Sequence, residues 1–101
     1  LSAERFVESV IHRKAARYGA ARIRVELAQH HLPDATVREA LCELKQSEFG
    51  RAHALWLRRF GEVAGTPEAR IKQMRFLAGR GFSSEVIRQV VAGKLPDDVD
   101  R

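Results

Sequence analysis

The stretch HRKAARYGAARIR, residues 12–24, has the residue types and spacing that point most directly to chemistry. It gathers five Lys or Arg residues around one Tyr–Gly pair, and the single nearby acid is Glu26. Clustered charge of this kind either forms an ordinary solvated face or binds an anionic partner. The candidate partner-binding residues of this first cluster are Arg13, Lys14, Arg17, Tyr18, Arg22 and Arg24.

The helix dipole separates two groups of cations within this cluster. Cations at the end of a helix gain about 0.3–1 kcal/mol each from the dipole, which accounts for one or two of them without any partner. Arg22 and Arg24 lie at the start of the next predicted helix, where the dipole disfavours positive charge. Their positions predict an external anion.

A second cationic cluster lies in residues 51–81, with seven cations against two acids. Lys72, Phe76 and Arg80 follow one line of a predicted helix at four-residue spacing. An aromatic ring between two cations can stack on a base or on a partner side chain. The alternative is that Phe76 packs against a neighbouring unit while the cations extend past it into water. The remaining candidates are Arg58, Arg59 and Arg75.

The other reactive residue types do not form a recognisable site. The sequence has no Gly-rich phosphate loop, no HExxH and no CxxC motif. His30 and His31 are adjacent and so point to different sides of a helix, while His12 and His53 are isolated. Cys42 is the only cysteine, and we interpret it as a small hydrophobic residue in a reducing compartment. We predict no enzyme activity, no metal site and no cofactor.

Composition indicates a small soluble protein. The chain has 101 residues, of which 45% are apolar and 31% charged, with a net charge of +5 and a pI of about 10.1. No apolar run approaches the roughly 18 residues of a membrane span. The opening LSAERFVESV is acidic and amphipathic, unlike an export signal. We therefore expect a cytoplasmic monomer without a membrane partner.

Apolar residues at helical spacing, without two-residue alternation, predict an all-α protein of six helices. The first runs from about Ala3 to Tyr18 and the second from about Ala20 to His31. The third follows LPD (32–34) with Asp34 as its N-cap, and the fourth opens near Ser47. The fifth follows GTPEA (65–69) and runs to about residue 80, and the sixth follows GFSS (81–84). Predicted core faces are Phe49, Ala52, Trp56, Phe60 and Val63 on the fourth helix and Ile71, Met74 and Ala78 on the fifth.

The two halves of the chain repeat. LAQHHLPDATVREAL (27–41) aligns with LAGRGFSSEVIRQVV (77–91) at an offset of 50, with Leu27 and Leu77 among the identical pairs. We therefore predict tandem three-helix repeats in an elongated or curved array, with units at 1–46 and 47–95 and an acidic frayed tail at 96–101. Arrays of this kind present extended binding surfaces.

Two stretches resemble a known family. LSAERFVESVIHRKAARYGAARIRVEL (1–27) resembles the second repeat of the RecX family, the bacterial modulators of the RecA recombinase. The matching features are Glu-Arg-Phe at 4–6, the basic helix end, the Tyr18–Gly19 turn and the Arg-rich helix that ends in Glu26–Leu27. RFLAGRGFSSEVIRQVV (75–91) resembles the family's C-terminal repeat. Family members usually carry one more three-helix unit in front of these two.

The resemblance implies a non-enzymatic role. RecX proteins bind the RecA–DNA filament in its helical groove, restrain filament growth, and lower ATP hydrolysis and strand exchange. The implied partners are the RecA filament and single- or double-stranded DNA. The alternative is a direct nucleic-acid-binding helical module, because three-helix units with a basic helix also describe helix-turn-helix readers. The spread of cations over helix ends and loops argues against specific base reading.

Overall fold

The computed structural model describes residues 2–96, and these form five α-helices without a strand. The all-α class predicted from the sequence is confirmed. The chain is elongated, since its extents are 49 × 29 × 19 Å and its radius of gyration is 14.6 Å, against about 13 Å for a compact chain of this length. The tail predicted at 96–101 lies outside the described residues except for Pro96. The helices are α1 (Ala3–Lys14), α2 (Ala20–Ala28), α3 (Asp34–Arg59), α4 (Pro67–Gly79) and α5 (Ser84–Val91).

The prediction of six helices is wrong because the third and fourth are one continuous helix. α3 has 26 residues and is about 39 Å long at 1.5 Å per residue. At the predicted boundary the Ser47 hydroxyl donates to the Leu44 carbonyl at 3.2 Å and accepts from Arg51 Nε at 2.9 Å. The Ser47 side chain therefore bonds within the helix and does not cap a new one. The helical backbone is continuous from residue 34 to residue 59.

Three helices end earlier than the apolar pattern predicted. α1 ends at Lys14 because a tight turn follows, in which the Arg17 and Tyr18 N–H groups both donate to the Lys14 carbonyl. α2 ends at Ala28 rather than His31, and α3 ends at Arg59. The chain reverses after α3 at Gly61, whose φ is +81°, and this leaves Val63 exposed.

The predicted helix starts are mostly confirmed. The Thr66 hydroxyl accepts from the Ala69 N–H at 3.1 Å, and the Ser83 hydroxyl accepts from the Val86 N–H at 3.2 Å. Both are standard N-caps, which satisfy free amides in the first turn of a helix. Asp34 is instead the first helical residue of α3, and the preceding Pro33 occupies the cap position without a side-chain bond.

Two apolar clusters form the interior, one in each half of the chain, and α3 contributes to both. The predicted core position of Trp56 is confirmed, since only 4% of it is exposed. The predicted inward face of α4 is wrong for Ile71 and Ala78, which are exposed; Met74 is half-buried against the second cluster, and the buried residues of α4 are Gln73 and Leu77. The predicted boundary at 46/47 lies inside α3, and the two repeat units with these bounds stay a prediction. The first cluster is Val7, Val10, Ala20, Ile23, Leu27, Ala40 and Leu44, and the second is Ala52, Leu55, Trp56, Leu77, Phe82, Ile87, Val90 and Val91.

One carboxylate joins the two halves at their junction. Glu48 on α3 is 4% exposed. Its Oε1 accepts the Ala20 N–H at the start of α2 at 2.8 Å, and its Oε2 accepts the Ser83 N–H ahead of α5 at 2.9 Å. An ionised carboxylate is a strong acceptor for backbone N–H groups at helix starts. Glu48 thereby fixes the first residue of α2 against the turn that precedes α5.

Arg51, one turn further along α3, holds the end of α1 in the same way. Its guanidinium donates to the carbonyls of Ala15 and Tyr18 at 2.7 Å each and to the Leu44 carbonyl at 2.8 Å. Burial lowers the pKa of the Arg51 guanidinium from its usual value, while the nearby Glu48 carboxylate opposes that shift. The α1–α2 turn is therefore anchored on both of its sides by neighbouring residues of α3.

Candidate functional site

Three cations surround the ring of Tyr18 in the turn between α1 and α2. Arg22 lies closest, with Cζ 4.3 Å from the ring centroid, and Lys14 Nζ lies at 5.6 Å. Arg80, from the end of α4 in the other half of the chain, lies at 5.5 Å. Each distance is within the roughly 6 Å range of cation–π attraction. The structure thus brings Arg80 to the first predicted cluster.

The ring of Phe76 continues the arrangement along α4. Arg80 Cζ lies 5.1 Å from its centroid, and Arg59 Cζ, from the end of α3, lies at 4.8 Å. Phe76 also packs edge-on against Phe60, with the ring centroids 5.6 Å apart. Cations and rings therefore alternate across both halves on one surface. We call this surface the cation–aromatic ridge: Lys14, Tyr18, Arg22, Arg80, Phe76 and Arg59.

Backbone contacts at the junction hold the ridge together. The Gly19 N–H donates to the Arg80 carbonyl at 2.7 Å, and Arg22 Nη1 donates to the Gly79 carbonyl at 2.9 Å. Gly81 has a φ of +90°, which glycine adopts without strain, and it lets the chain turn back toward α2. The spacing of ridge residues from the two halves is therefore set by direct hydrogen bonds between them.

Arg22 has a hydrogen-bond partner within the molecule, which its position at the start of α2 did not predict. Its guanidinium binds the carbonyl of Gly79, the last residue of α4, where the dipole of that helix favours a cation. The unfavourable position of Arg22 in α2 is thus offset within the molecule. Arg24 is exposed one helical turn into α2 and its side chain makes no hydrogen bond within residues 2–96, so of these two arginines only Arg24 is left free for an external anion.

An ion pair at the α1–α2 end of the ridge reduces its charge. Lys14 Nζ lies 2.8 Å from Glu26 Oε1. The hydrogen bond from Lys14 lowers the pKa of the Glu26 carboxyl from its usual value, and the charges of Lys14, Arg13 and His30 add to this effect. Beside the pair lies an open depression of about 330 Å³, lined in part by Tyr18 and Arg22.

The remaining predicted site residues lie outside the ridge. Arg75 points away from Phe76 and lines a separate groove between α4 and α5. The other five are exposed to solvent, where a partner can reach them; they are Arg13, Arg17, Arg24, Arg58 and Lys72.

Sequence reasoning missed the buried polar residues that position the ridge. The sequence analysis assigned no role to Glu48 or Arg51, and the only local signal is that an acid and a base lie three residues apart. Gln73 was also missed, although its Oε1 accepts the Trp56 Nε1–H at 2.9 Å and its Nε2 donates to the Glu62 carbonyl at 3.1 Å. Their partners lie on other helices, so local spacing could not reveal them.

Neither a metal-binding cluster nor a membrane-spanning helix is found within residues 2–96. No group of three or more His, Cys, Asp or Glu side chains in this range could hold a metal ion. No helix in the same range is both long enough and apolar enough to cross a bilayer. Exposed Cys42 is a free thiol.

Comparisons with known proteins match almost the whole chain. One family model, described as the RecX second three-helix domain, matches residues 4–41, and another, the RecX third three-helix domain, matches residues 46–91. The regulatory protein RecX of Ralstonia nicotianae is 46% identical over 102 residues, covering 99% of this chain and 64% of that protein. The RecX of Leptothrix cholodnii is 47% identical over 91 residues, covering 90% and 58%.

More distant relatives agree. The regulatory protein RecX of Pseudomonas putida is 40% identical over 100 residues, covering 97% of this chain and 64% of that protein. The chain therefore spans a little under two thirds of the length of these curated relatives. No solved structure matches it.

Proposed function

The chain belongs to the RecX family, and from this membership we propose that it is a non-enzymatic regulator of the RecA recombinase. It binds the filament that RecA forms on DNA and inhibits filament growth, ATP hydrolysis and strand exchange. It acts in the cytoplasm as a monomer. The family supports the identity of the partner, and the shape and charge of the chain support the way in which it binds.

The cation–aromatic ridge is the observation that carries the proposal. It extends over both halves of a molecule 49 Å long, in a chain with a net charge of +5. A positive surface that is continuous across both halves attracts an anionic partner and increases its association rate. The hydrogen bonds that fix Gly19 and Arg22 to the end of α4 keep the surface rigid, so little conformational freedom is lost on binding.

Direct binding of nucleic acid, without a recombinase, is the second candidate function. The rings of Tyr18 and Phe76 lie between cations, as they do on surfaces that bind single strands by stacking and charge. The ridge draws its cations from α1, α2, α3 and α4, and no single helix presents them to one groove of a duplex. This favours contacts to phosphates over specific reading of bases.

The proposal is tested by the rate of ATP hydrolysis by RecA on single-stranded DNA with increasing amounts of this chain. The informative variant changes Arg17, Arg24 and Arg59 to Glu, because all three are exposed and none of their side chains makes a hydrogen bond within residues 2–96. The matched control makes the same charge change at three exposed cations outside the predicted site, Arg5, Arg38 and Lys45.

We expect the wild type and the control to inhibit ATP hydrolysis and the site variant to inhibit it at least 10-fold less well. Added salt should weaken inhibition by the wild type, because screening shortens the reach of the field. If wild type binds DNA with a steep salt dependence but leaves ATP hydrolysis unchanged, the nucleic-acid-binding function is correct instead. Equal inhibition by the site variant and the control would mean that these cations form only a solvated face.

A further inference from the structure

An apolar groove lies between α4 and α5, on a different side of α4 from the cation–aromatic ridge. Its volume is about 300 Å³. Ile71, with 48% of its surface exposed, lies on the wall that α4 forms, while buried Ile87 lies at the side of α5. The lining residues, which define the α4–α5 groove, are Ile71, Met74, Arg75, Ala78, Ser84 and Ile87.

Two apolar residues of the groove, Ile71 and Ala78, are exposed and are not part of the interior, whereas Ile87 belongs to the second cluster and half-buried Met74 packs against it. α4 turns Gln73 and Leu77 toward the core, and Ile71, Met74 and Ala78 follow a separate line at three- and four-residue spacing. The sequence pattern predicted that this line faces inward, and the structure leaves Ile71 and Ala78 exposed and Met74 only half-buried, at the edge of the second cluster. A surface line of apolar residues beside a concave groove is a feature of interaction sites.

The internal repeat shows that the fold does not require these residues. At an offset of 50, Ile71 corresponds to Ala21 and Met74 to Arg24, which are both exposed on α2. Ser84 corresponds to Asp34. The first three-helix half thus packs with a small and a charged residue where the second half has Ile and Met. Packing of the three-helix unit therefore does not account for the exposed apolar surface of Ile71 and Met74.

The charge at the groove restricts the kind of partner. Arg75 is the only charged residue that lines it and is exposed, and its guanidinium makes neither an ion pair nor a hydrogen bond with any residue from 2 to 96. An apolar groove between two helices accepts the apolar face of a third, amphipathic helix. An acidic residue at the edge of that face would pair with Arg75. The complementary partner is therefore an amphipathic helix with acidic character.

We infer that the α4–α5 groove binds an acidic amphipathic helix on the protein subunits of the recombinase filament, while the cation–aromatic ridge faces the phosphates of its DNA. This inference rests on the proposed function. At 3.6 residues per turn, the groove line and Phe76 are roughly 150° apart around α4, so that both surfaces can be occupied together. The groove gives the contact to protein, and the ridge gives the contact to nucleic acid.

The test separates the two surfaces by substituting Ile71→Glu in the 101-residue chain. Ile71 is exposed, so the variant should keep the melting temperature of the wild type. Ala21→Glu is the matched control, since it introduces the same charge at the corresponding exposed position of the first half. Arg75→Glu tests the charge of the partner. Ile71→Leu tests whether any apolar side chain at position 71 is sufficient for inhibition.

Three readouts are needed: inhibition of RecA ATP hydrolysis on single-stranded DNA, affinity for a free single-stranded oligonucleotide, and sedimentation of the protein alone. We expect Ile71→Glu and Arg75→Glu to raise the concentration for half-inhibition at least 10-fold. Ile71→Glu should leave oligonucleotide affinity within 2-fold of wild type, and Ile71→Leu and Ala21→Glu should behave as wild type in both assays. A benzophenone amino acid at position 71 should form crosslinks to the recombinase subunit.

Two results would overturn the inference while leaving the proposed function intact. One is inhibition by Ile71→Glu at wild-type concentrations. The other is a wild-type dimer that Ile71→Glu dissociates, because a second copy would then occupy the groove. If the wild type itself does not inhibit ATP hydrolysis, the proposed function fails and this inference fails with it, and that result is distinguished by the wild-type measurement alone.

Discussion

Gly19 and Gly81 approach so closely that neither position has room for a side chain. A Cβ atom added to Gly19 would lie 2.6 Å from the Cα atom of Phe82 and closer still to the carbonyl of Gly81. A Cβ added to Gly81 would lie 2.8 Å from the backbone nitrogen of Arg22. The atoms in the way are backbone atoms at Gly19, and at Gly81 they are the Cβ and backbone atoms of Arg22, so side-chain rotation cannot relieve either contact. The two halves of the molecule meet here, beneath the ridge.

Gly19→Ala should therefore separate the halves and destabilise the chain by about 1–3 kcal/mol, as overpacking of a closely packed contact does. The measurement is chemical denaturation followed by circular dichroism. Gly50→Ala is the matched control, because an added Cβ there meets nothing within 4 Å and the position is helical. That control should be neutral or stabilise by up to about 1 kcal/mol. Equal stability of the two variants would contradict the close contact.

Arg22→Glu and Arg24→Glu should differ in stability although they lie two residues apart. Arg22→Glu removes the hydrogen bond to the Gly79 carbonyl and the contact with the Tyr18 ring, and it puts a negative charge at the end of α4. The gain from an acid in the first turn of α2 offsets only part of this, so we expect a net loss of about 1 kcal/mol. Arg24 is exposed, and its reversal should stay within about 0.5 kcal/mol of wild type. The measurement is the melting temperature of each single variant. Equal melting temperatures would mean that the Arg22 hydrogen bond to α4 does not stabilise the fold.

The ion pair of Glu26 with Lys14 predicts a dependence of stability on pH. The pKa of Glu26 is lower in the folded chain than in the unfolded chain, so folding favours its charged form. The contribution of the pair is complete above the unfolded pKa of about 4.3 and is lost as pH falls through the folded value. For a pair at the surface it amounts to less than about 1 kcal/mol.

Melting temperatures of wild type and Glu26→Gln should therefore differ at pH 7 and converge as pH falls below about 4. Glu43→Gln, which changes an exposed acid outside any ion pair of the described residues, is the control and should show no convergence of its own. A constant difference between wild type and Glu26→Gln down to pH 2 would mean that the effect of Glu26 is not due to its ionisation.

Trp56 should contribute to stability through both its size and its indole N–H. Trp56→Ala removes a large side chain that is 4% exposed and should cost about 3–5 kcal/mol. Trp56→Phe keeps much of the volume but leaves Gln73 Oε1 without its donor, at a cost of about 1–3 kcal/mol. The double variant Trp56→Phe/Gln73→Leu should lose less stability than the sum of the losses in the two single variants. A loss below about 1 kcal/mol for Trp56→Ala would place Trp56 outside the core.

Features that depend on a few consecutive residues could be predicted from the sequence. The caps at Thr66 and Ser83 follow from short local patterns, and Trp56 follows from helical periodicity. The proximity of Arg80 to Tyr18 does not, because it depends on how the halves pack over a separation of 62 residues. The exposed side of Ile71 was also not predictable. An apolar line along a helix indicates that this side of the helix packs against another surface. It does not indicate whether that surface belongs to the same chain.

The continuity of α3 sets a rule for how this chain can change in length. One rigid helix passes through both cores, so inserting a single residue near Gly50 would turn the second half by about 100° and advance it by about 1.5 Å. The carboxylate of Glu48 would then no longer reach both the Ala20 and Ser83 amides. Insertions and deletions should therefore be tolerated in the 29–33 and 60–66 connections and excluded from the middle of α3. The number of residues in α3 therefore constrains the fold as strongly as the identity of any side chain does.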